Sequence, residues 1–142
     1  MNSSLPYHLR LWNNAARLSL PLPLKLWLGL LVATVLSSVC FFGNSNAARW
    51  VLAGFAISHL LVFVLSILPT MTLRVGMVSL THLACWTPGY LLAIAQLPSH
   101  FPTTTYEVWT VAIVVVISIS FGFDVRDGSR YLRAAIQRQL PA

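Results

Sequence analysis

Residues 75–97 read VGMVSLTHLACWTPGYLLAIAQL, and this stretch decides the fold class. It contains no Asp, Glu, Lys or Arg. Its length suits a helix that crosses the hydrocarbon core of a bilayer, for which roughly 17–25 apolar residues are needed. Working outward, further apolar segments cover residues 26–42, 50–69 and 108–123. The sequence therefore predicts an antiparallel bundle of four transmembrane helices joined by short loops.

The composition of the whole chain agrees with this prediction. Apolar residues make up 57% of the 142 residues and charged residues 8%, which excludes an ordinary soluble globular protein. The predicted spans use most of the chain, so residues 1–142 form a single transmembrane domain. Because lipid cannot satisfy backbone hydrogen bonds, each span is predicted to be α-helical.

The basic residues predict the orientation of the chain in the membrane. Of the nine Lys and Arg residues, only Arg49 falls in a loop on the opposite side from all the others. Cytoplasmic loops retain basic residues, so both termini are predicted to be cytoplasmic. The net charge of +6 follows from this bias and indicates membrane lipids, and no nucleic acid, as partners. The short loops suggest a multi-pass protein of a bacterial inner membrane.

Both ends of the chain predict further short helices. Residues 7–20 separate apolar from basic positions and are predicted to form an interfacial helix. Residues 125–140 are predicted to form a cytoplasmic helix, either continuous with the last span or bent from it at Gly128. The predicted docking residues for a cytoplasmic partner or for lipid phosphates are Arg126, Arg130 and Arg133.

Small residues recur along every predicted span, often at four-residue spacing. Such residues allow helix backbones in a membrane to approach closely. The predicted packing positions are Gly29, Ala33 and Ser37 in the first span, Gly54 and Ser58 in the second, Gly89 in the third, and Ser118 and Gly122 in the fourth. They favour association with a membrane-protein partner or with further copies of the chain.

His59 and His82 are the candidate site residues inside the predicted spans. Ionisable residues at this depth are costly and often mark a site. Two imidazoles from different helices could ligate haem or hold a quinone, and Cys85, one turn after His82, could complete a metal site. The competing interpretation is that each histidine is neutral and hydrogen-bonded to a neighbouring helix. Counting from the helix ends places them at different depths, so they meet only if the helices tilt favourably.

No catalytic constellation is recognisable, and no carboxylate lies within a predicted span. We therefore expect a non-enzymatic protein without a cofactor, acting as an accessory or assembly subunit of a larger membrane complex or as a homo-oligomer. One alternative is a redox protein that binds haem, quinone or metal through His59 and His82. Another is a small channel or transporter at the helix break of Pro88 and Gly89. The missing carboxylates favour a neutral solute or an anion in that case.

Overall fold

The computed structural model describes residues 22–67 and 75–139. These residues form four α-helices and, within these two ranges, no strand. The helices are α1 (Leu22–Leu36), α2 (Asn46–Ile67), α3 (Val75–Ile94) and α4 (Thr105–Gln139), and a 3-10 helix (Ser37–Phe41) follows α1. The all-helical prediction is confirmed here. The predicted interfacial helix over residues 7–20 lies outside the described residues.

Three of the helices have the length and character of membrane spans. α2, α3 and α4 are long and apolar enough to cross a membrane, which suggests a membrane protein. The first predicted span is shorter, with its apolar helical part running over Lys25–Phe41. Near its end Thr34 donates a side-chain hydrogen bond to the Leu30 carbonyl and Ser37 donates one to the Thr34 carbonyl. Such bonds compete with the regular helix ladder. The first span therefore stays a prediction.

Neighbouring helices run antiparallel, with α3 lying between α2 and α4. Val51 of α2 lies against Gly89 of α3, and His59, further along α2, lies against His82, which comes earlier in α3. α1 makes less extensive contacts with α2 and α4. The buried hydrophobic core is formed by Val35, Ala47, Ala48, Val51, Trp86, Ala93, Trp109, Ile113 and Ile117.

Two of the predicted packing glycines bring the backbones of α2 and α3 into contact. A Cβ atom added at Gly54 would lie 2.5 Å from the carbonyl oxygen of Cys85. One added at Gly89 would lie 2.6 Å from the backbone nitrogen of Val51. Because the opposing atoms belong to helix backbone, they cannot rotate away. Any larger residue at either position would force the two helices apart.

The small residues predicted as packing positions on α1 and the adjoining 3-10 helix do not face another helix in the way that Gly54 and Gly89 do. Gly29, Ala33 and Ser37 are exposed, while the neighbouring Val35 faces the core. Among the described residues, nothing lies within 4 Å of a Cβ added at Gly29 or at Gly122. These positions make no close helix contact in the described part of the chain. Their role in packing stays a prediction, and it would require another chain.

The last predicted span and the predicted tail helix lie in one uninterrupted helix. At 35 residues, α4 is about 52 Å long, against a hydrocarbon core of about 30 Å. Its later part packs on the start of α3. A Cβ added at Gly76 would overlap the Cβ of Tyr131, and one added at Gly128 would lie 2.9 Å from the Leu80 side chain. Gly128 is therefore a packing position within a continuous helix.

Side-chain hydrogen bonds close the helix ends on the side that the charge pattern predicts to be external. Arg49 donates from Nε to the Phe42 carbonyl (2.8 Å) and from Nη2 to the Gly43 carbonyl (2.7 Å).

At the start of α4, the Thr104 hydroxyl accepts from the Glu107 backbone N–H (3.2 Å), and the Glu107 carboxylate accepts from the Thr104 backbone N–H (3.0 Å). This reciprocal pair is a capping box.

Candidate ligand site at His82 and Asp124

The structure brings the two predicted site histidines together. The ring centroids of His59 and His82 lie 5.9 Å apart, with 29° between the ring planes. Counting residues from the helix ends placed them at different depths, because such a count assumes that the two helices end at the same level. The antiparallel register of α2 and α3 removes that difference, as the contact of Val51 with Gly89 also shows.

His59 is satisfied by its own helix. Its Nδ1 lies 2.8 Å from the Phe55 carbonyl oxygen, and its ring packs on the Phe55 ring at a centroid distance of 4.1 Å. A carbonyl only accepts, so Nδ1 carries a proton and donates it to this bond. The geometry of His59 thus agrees with the structural interpretation, in which the ring needs neither metal nor cofactor.

His82 faces a carboxylate that the sequence analysis did not include in the site. Its Nδ1 lies 3.7 Å from Oδ2 of Asp124 on α4. The side chains are 26% and 15% exposed, respectively. The distance exceeds that of a direct hydrogen bond, so both groups keep capacity for another partner. Asp124 was missed because the predicted span ended one residue earlier. The available signal was its spacing of one helical turn from Ser120 inside an otherwise apolar helix.

A cleft of about 200 Å³ opens beside His82 between α1, α3 and α4. Its polar side is formed by His82, Ser120 and Asp124. Its apolar side is formed by Trp27, Leu28, Leu31, Trp86 and Phe123. A mostly apolar cleft with a few convergent polar groups is the usual form of a small-molecule site.

Ser120 is the least satisfied polar group in the cleft. Its Oγ is buried and has no hydrogen-bond partner within the described ranges. Leaving a buried hydroxyl unsatisfied costs about 1–3 kcal/mol. Because this oxygen has almost no accessible surface, a bound polar group would reach it only after the Ser120 side chain rotates toward the cleft.

The Trp86 wall of the cleft is held rigidly. Trp86 is 4% exposed, and its Nε1 donates a hydrogen bond of 2.9 Å to the Oγ of Ser58 on α2. Ser58 in turn donates to the Phe55 carbonyl at 3.0 Å. Ser58, which was predicted as a packing position, thus links α2 to α3 through a hydrogen bond. This bond fixes the orientation of the indole.

The geometry does not suit a haem between the two histidines. Bis-histidine ligation would require the macrocycle to lie between the imidazoles. The rings of His59 and His82 already lie beside each other, and the backbones of α2 and α3 touch nearby at Gly54. The close contact of the two backbones at Gly54 is unfavourable for a macrocycle between α2 and α3, and haem ligation by the two histidines stays a prediction. In the two described ranges, no group of three or more His, Cys, Asp or Glu residues could hold a metal. A metal site of Cys85 with His82 stays a prediction.

The remaining predicted residues lie outside the cleft. Arg126, Arg130 and Arg133 are all exposed on α4. They form no ion pair with another described residue, and docking stays a prediction. Ser118 connects α4 to α3, since its Oγ lies 2.7 Å from the Tyr90 hydroxyl.

Comparison of the chain with protein-family models, with curated proteins and with solved structures finds no match. Function is therefore inferred from the residues and their geometry.

Proposed function

We propose that this chain is a small non-enzymatic membrane protein of a bacterial inner membrane, with both termini cytoplasmic. In this proposal it binds a small membrane-soluble molecule in the cleft between α1, α3 and α4. The observation that carries the proposal is the apolar cleft lined by His82, Asp124 and Ser120, whose Oγ has no hydrogen-bond partner among the described residues. These polar groups converge on one side of an apolar cleft, as expected of a ligand site.

The position of the cleft supports entry of the ligand from the membrane. Leu28 and Phe123 border the cleft and are 41% and 55% exposed, so its apolar side is open at the surface of the helices. Asp124 precedes the exposed Arg126 and Arg130, which the charge bias assigns to the cytoplasmic side. A molecule dissolved in the inner leaflet could thus present its polar end to Asp124.

Native mass spectrometry of protein extracted in mild detergent tests this proposal. We expect a bound small molecule on the wild-type protein and its loss in Ser120→Leu, which fills the cleft. The matched control is Ile119→Phe, since Ile119 is exposed on the same helix and does not line the cleft. Bare wild-type protein, or a ligand held equally by Ser120→Leu, would contradict the proposal.

An accessory or self-associating subunit is the second candidate function. It is favoured by the exposed stripe of Gly29, Ala33 and Ser37 on α1 and the adjoining 3-10 helix, and by the exposed arginines of α4. The same spectra would then show a heavier assembly. Gly29→Leu should dissociate an assembly that packs on α1, and Arg130→Glu combined with Arg133→Glu should release a partner bound to α4. An assembly unchanged by both variants would exclude these surfaces.

The redox alternative shares His82 with the cleft, whereas the transport alternative was placed at Pro88 and Gly89, which do not line the cleft. A quinone headgroup would need hydrogen bonds from residues of the cleft. Because a quinone is neutral, it would leave the negative charge of the Asp124 carboxylate uncompensated. The expectation of a neutral solute or an anion rested on the absence of carboxylates from the predicted spans. Because Asp124 lines the cleft beside His82, that reason no longer applies, and the charge of the occupant becomes a separate question.

A further inference from the structure

We infer that the occupant of the cleft is a small organic ammonium ion, meaning a protonated amine with an apolar body. This inference rests on the proposed function, because it names the ligand class of the same cleft. It is carried by the juxtaposition of Asp124, Ser120 and His82 with two tryptophan side chains.

The negative charge of the Asp124 carboxylate makes the cleft favourable for a cation. Asp124 is 15% exposed, and its described ion-pair partner is His82 at 3.7 Å, which is positively charged only when protonated. Neither the exposed Arg126 nor the exposed Lys25 lines the cleft. A partly buried carboxylate without a direct partner among the described residues is unfavourable, and a cation placed beside it relieves that cost.

The number of acceptors matches an ammonium group. A primary ammonium carries three N–H donors and no acceptor. Asp124 offers its carboxylate and Ser120 its hydroxyl oxygen, and the two lie one turn apart on the same face of α4. A neutral His82 offers one ring nitrogen from α3. The three residues thus supply acceptors from two helices to the polar side of the cleft.

The aromatic walls suit the same ligand. Trp27 and Trp86 both line the cleft, and tryptophan is the side chain that attracts cations most strongly through its ring face. Trp86 is held in place by its hydrogen bond to Ser58. The volume of about 200 Å³ is below the range of roughly 300–1,000 Å³ typical of drug-sized ligands. The cleft therefore selects a compact amine, whose apolar body can extend through the open side.

Binding of 2-phenylethylamine and of 2-phenylethanol to the protein in nanodiscs of zwitterionic lipid tests the inference. The two probes share the same apolar body, so they differ in charge and in the number of hydrogen-bond donors. Isothermal titration, corrected with empty nanodiscs, should show the amine binding at least tenfold more tightly, which corresponds to 1.4 kcal/mol. Zwitterionic lipid is used because anionic headgroups would attract the amine by themselves.

Two variants assign this preference to the cleft. Asp124→Asn keeps the size of the side chain and removes its charge, so it should abolish the preference for the amine. Asp127→Asn is the matched control, because Asp127 lies on the same helix and does not line the cleft. A melting profile of Asp124→Asn like that of the wild type would show that its loss of binding is not a loss of folding.

The possible results distinguish a failure of the ammonium inference from a failure of the proposed ligand cleft. Equal binding of both probes, tighter binding of the alcohol, or an unchanged preference in Asp124→Asn would overturn the ammonium inference. Each would leave the ligand cleft standing if Ser120→Leu still removes the native ligand. Absence of probe binding to the wild type would also overturn the inference, and the native mass spectra would then decide independently whether the cleft binds any ligand.

Discussion

The indole nitrogen of Trp86 donates a hydrogen bond of 2.9 Å to the hydroxyl of Ser58, and both side chains are buried. The bond joins α3 to α2 beside the contact of His59 with His82. It also fixes the wall of a cleft that opens on the opposite side of α3, toward α1 and α4. A residue of α2 that does not line the cleft thus holds the shape of the cleft.

Ser58→Ala is expected to destabilise the protein and loosen the cleft wall. It leaves the Trp86 N–H buried without its acceptor, which should cost about 1–2 kcal/mol. Unfolding in a detergent titration measures the loss, and tryptophan fluorescence reports the mobility of the indole. Ser129→Ala is the control, since among the described residues the Ser129 hydroxyl bonds only to the Arg126 carbonyl of its own helix. Equal stability of the two variants would contradict this account.

Gly54→Ala should destabilise the protein because its Cβ would lie 2.5 Å from the Cys85 carbonyl oxygen. Separation of two packed backbones is expected to cost about 1–3 kcal/mol in the free energy of unfolding. The control is Gly29→Ala, where a Cβ meets no described atom within 4 Å. Alanine is the better helix former, so the control should keep or slightly raise stability. A control that loses stability would indicate a contact at Gly29 with another chain.

Gly76→Val is expected to detach the later part of α4 from α3. The added side chain would overlap Tyr131, whose Cβ occupies the space beside Gly76. Limited trypsin digestion measures this effect, because Arg130 and Arg133 become better substrates once the helix end is released. Gly122→Val, on α4, is the control, because a Cβ at Gly122 has no described neighbour within 4 Å. Cleavage rates that rise equally in both variants would show that the effect is not specific to this contact.

Arg49→Gln should lower stability by about 1 kcal/mol, since two hydrogen bonds to the Phe42 and Gly43 carbonyls are lost. Arg130→Gln serves as the control, because the exposed Arg130 makes no such bond among the described residues. Thermal unfolding followed by circular dichroism compares the two. A larger loss in Arg130→Gln would contradict the assignment of Arg49 as the residue that closes the end of the 3-10 helix.

Sequence patterns gave correct predictions for features that depend on a single helix. The uncharged stretch of α3 and the apolar segment over residues 108–123 predicted helices of membrane length, and the structure has them. The close contacts at Gly54 and Gly89 were also predicted, because small residues at regular spacing present a flat helix surface. The same pattern at Gly29 made no contact in the described chain, since spacing alone does not say which face of a helix is covered.

The sequence by itself determined the apolar character, the helical class and the bias of positive charge, because each depends on composition and on contacts within a few residues of one another. Tertiary structure alone decided that His59 meets His82 and that Asp124 turns toward His82 and lines a cleft. These relationships depend on the register and rotation of three separate helices. A shift of one residue turns a side chain by about 100° around its helix, and nothing local in the sequence specifies that rotation.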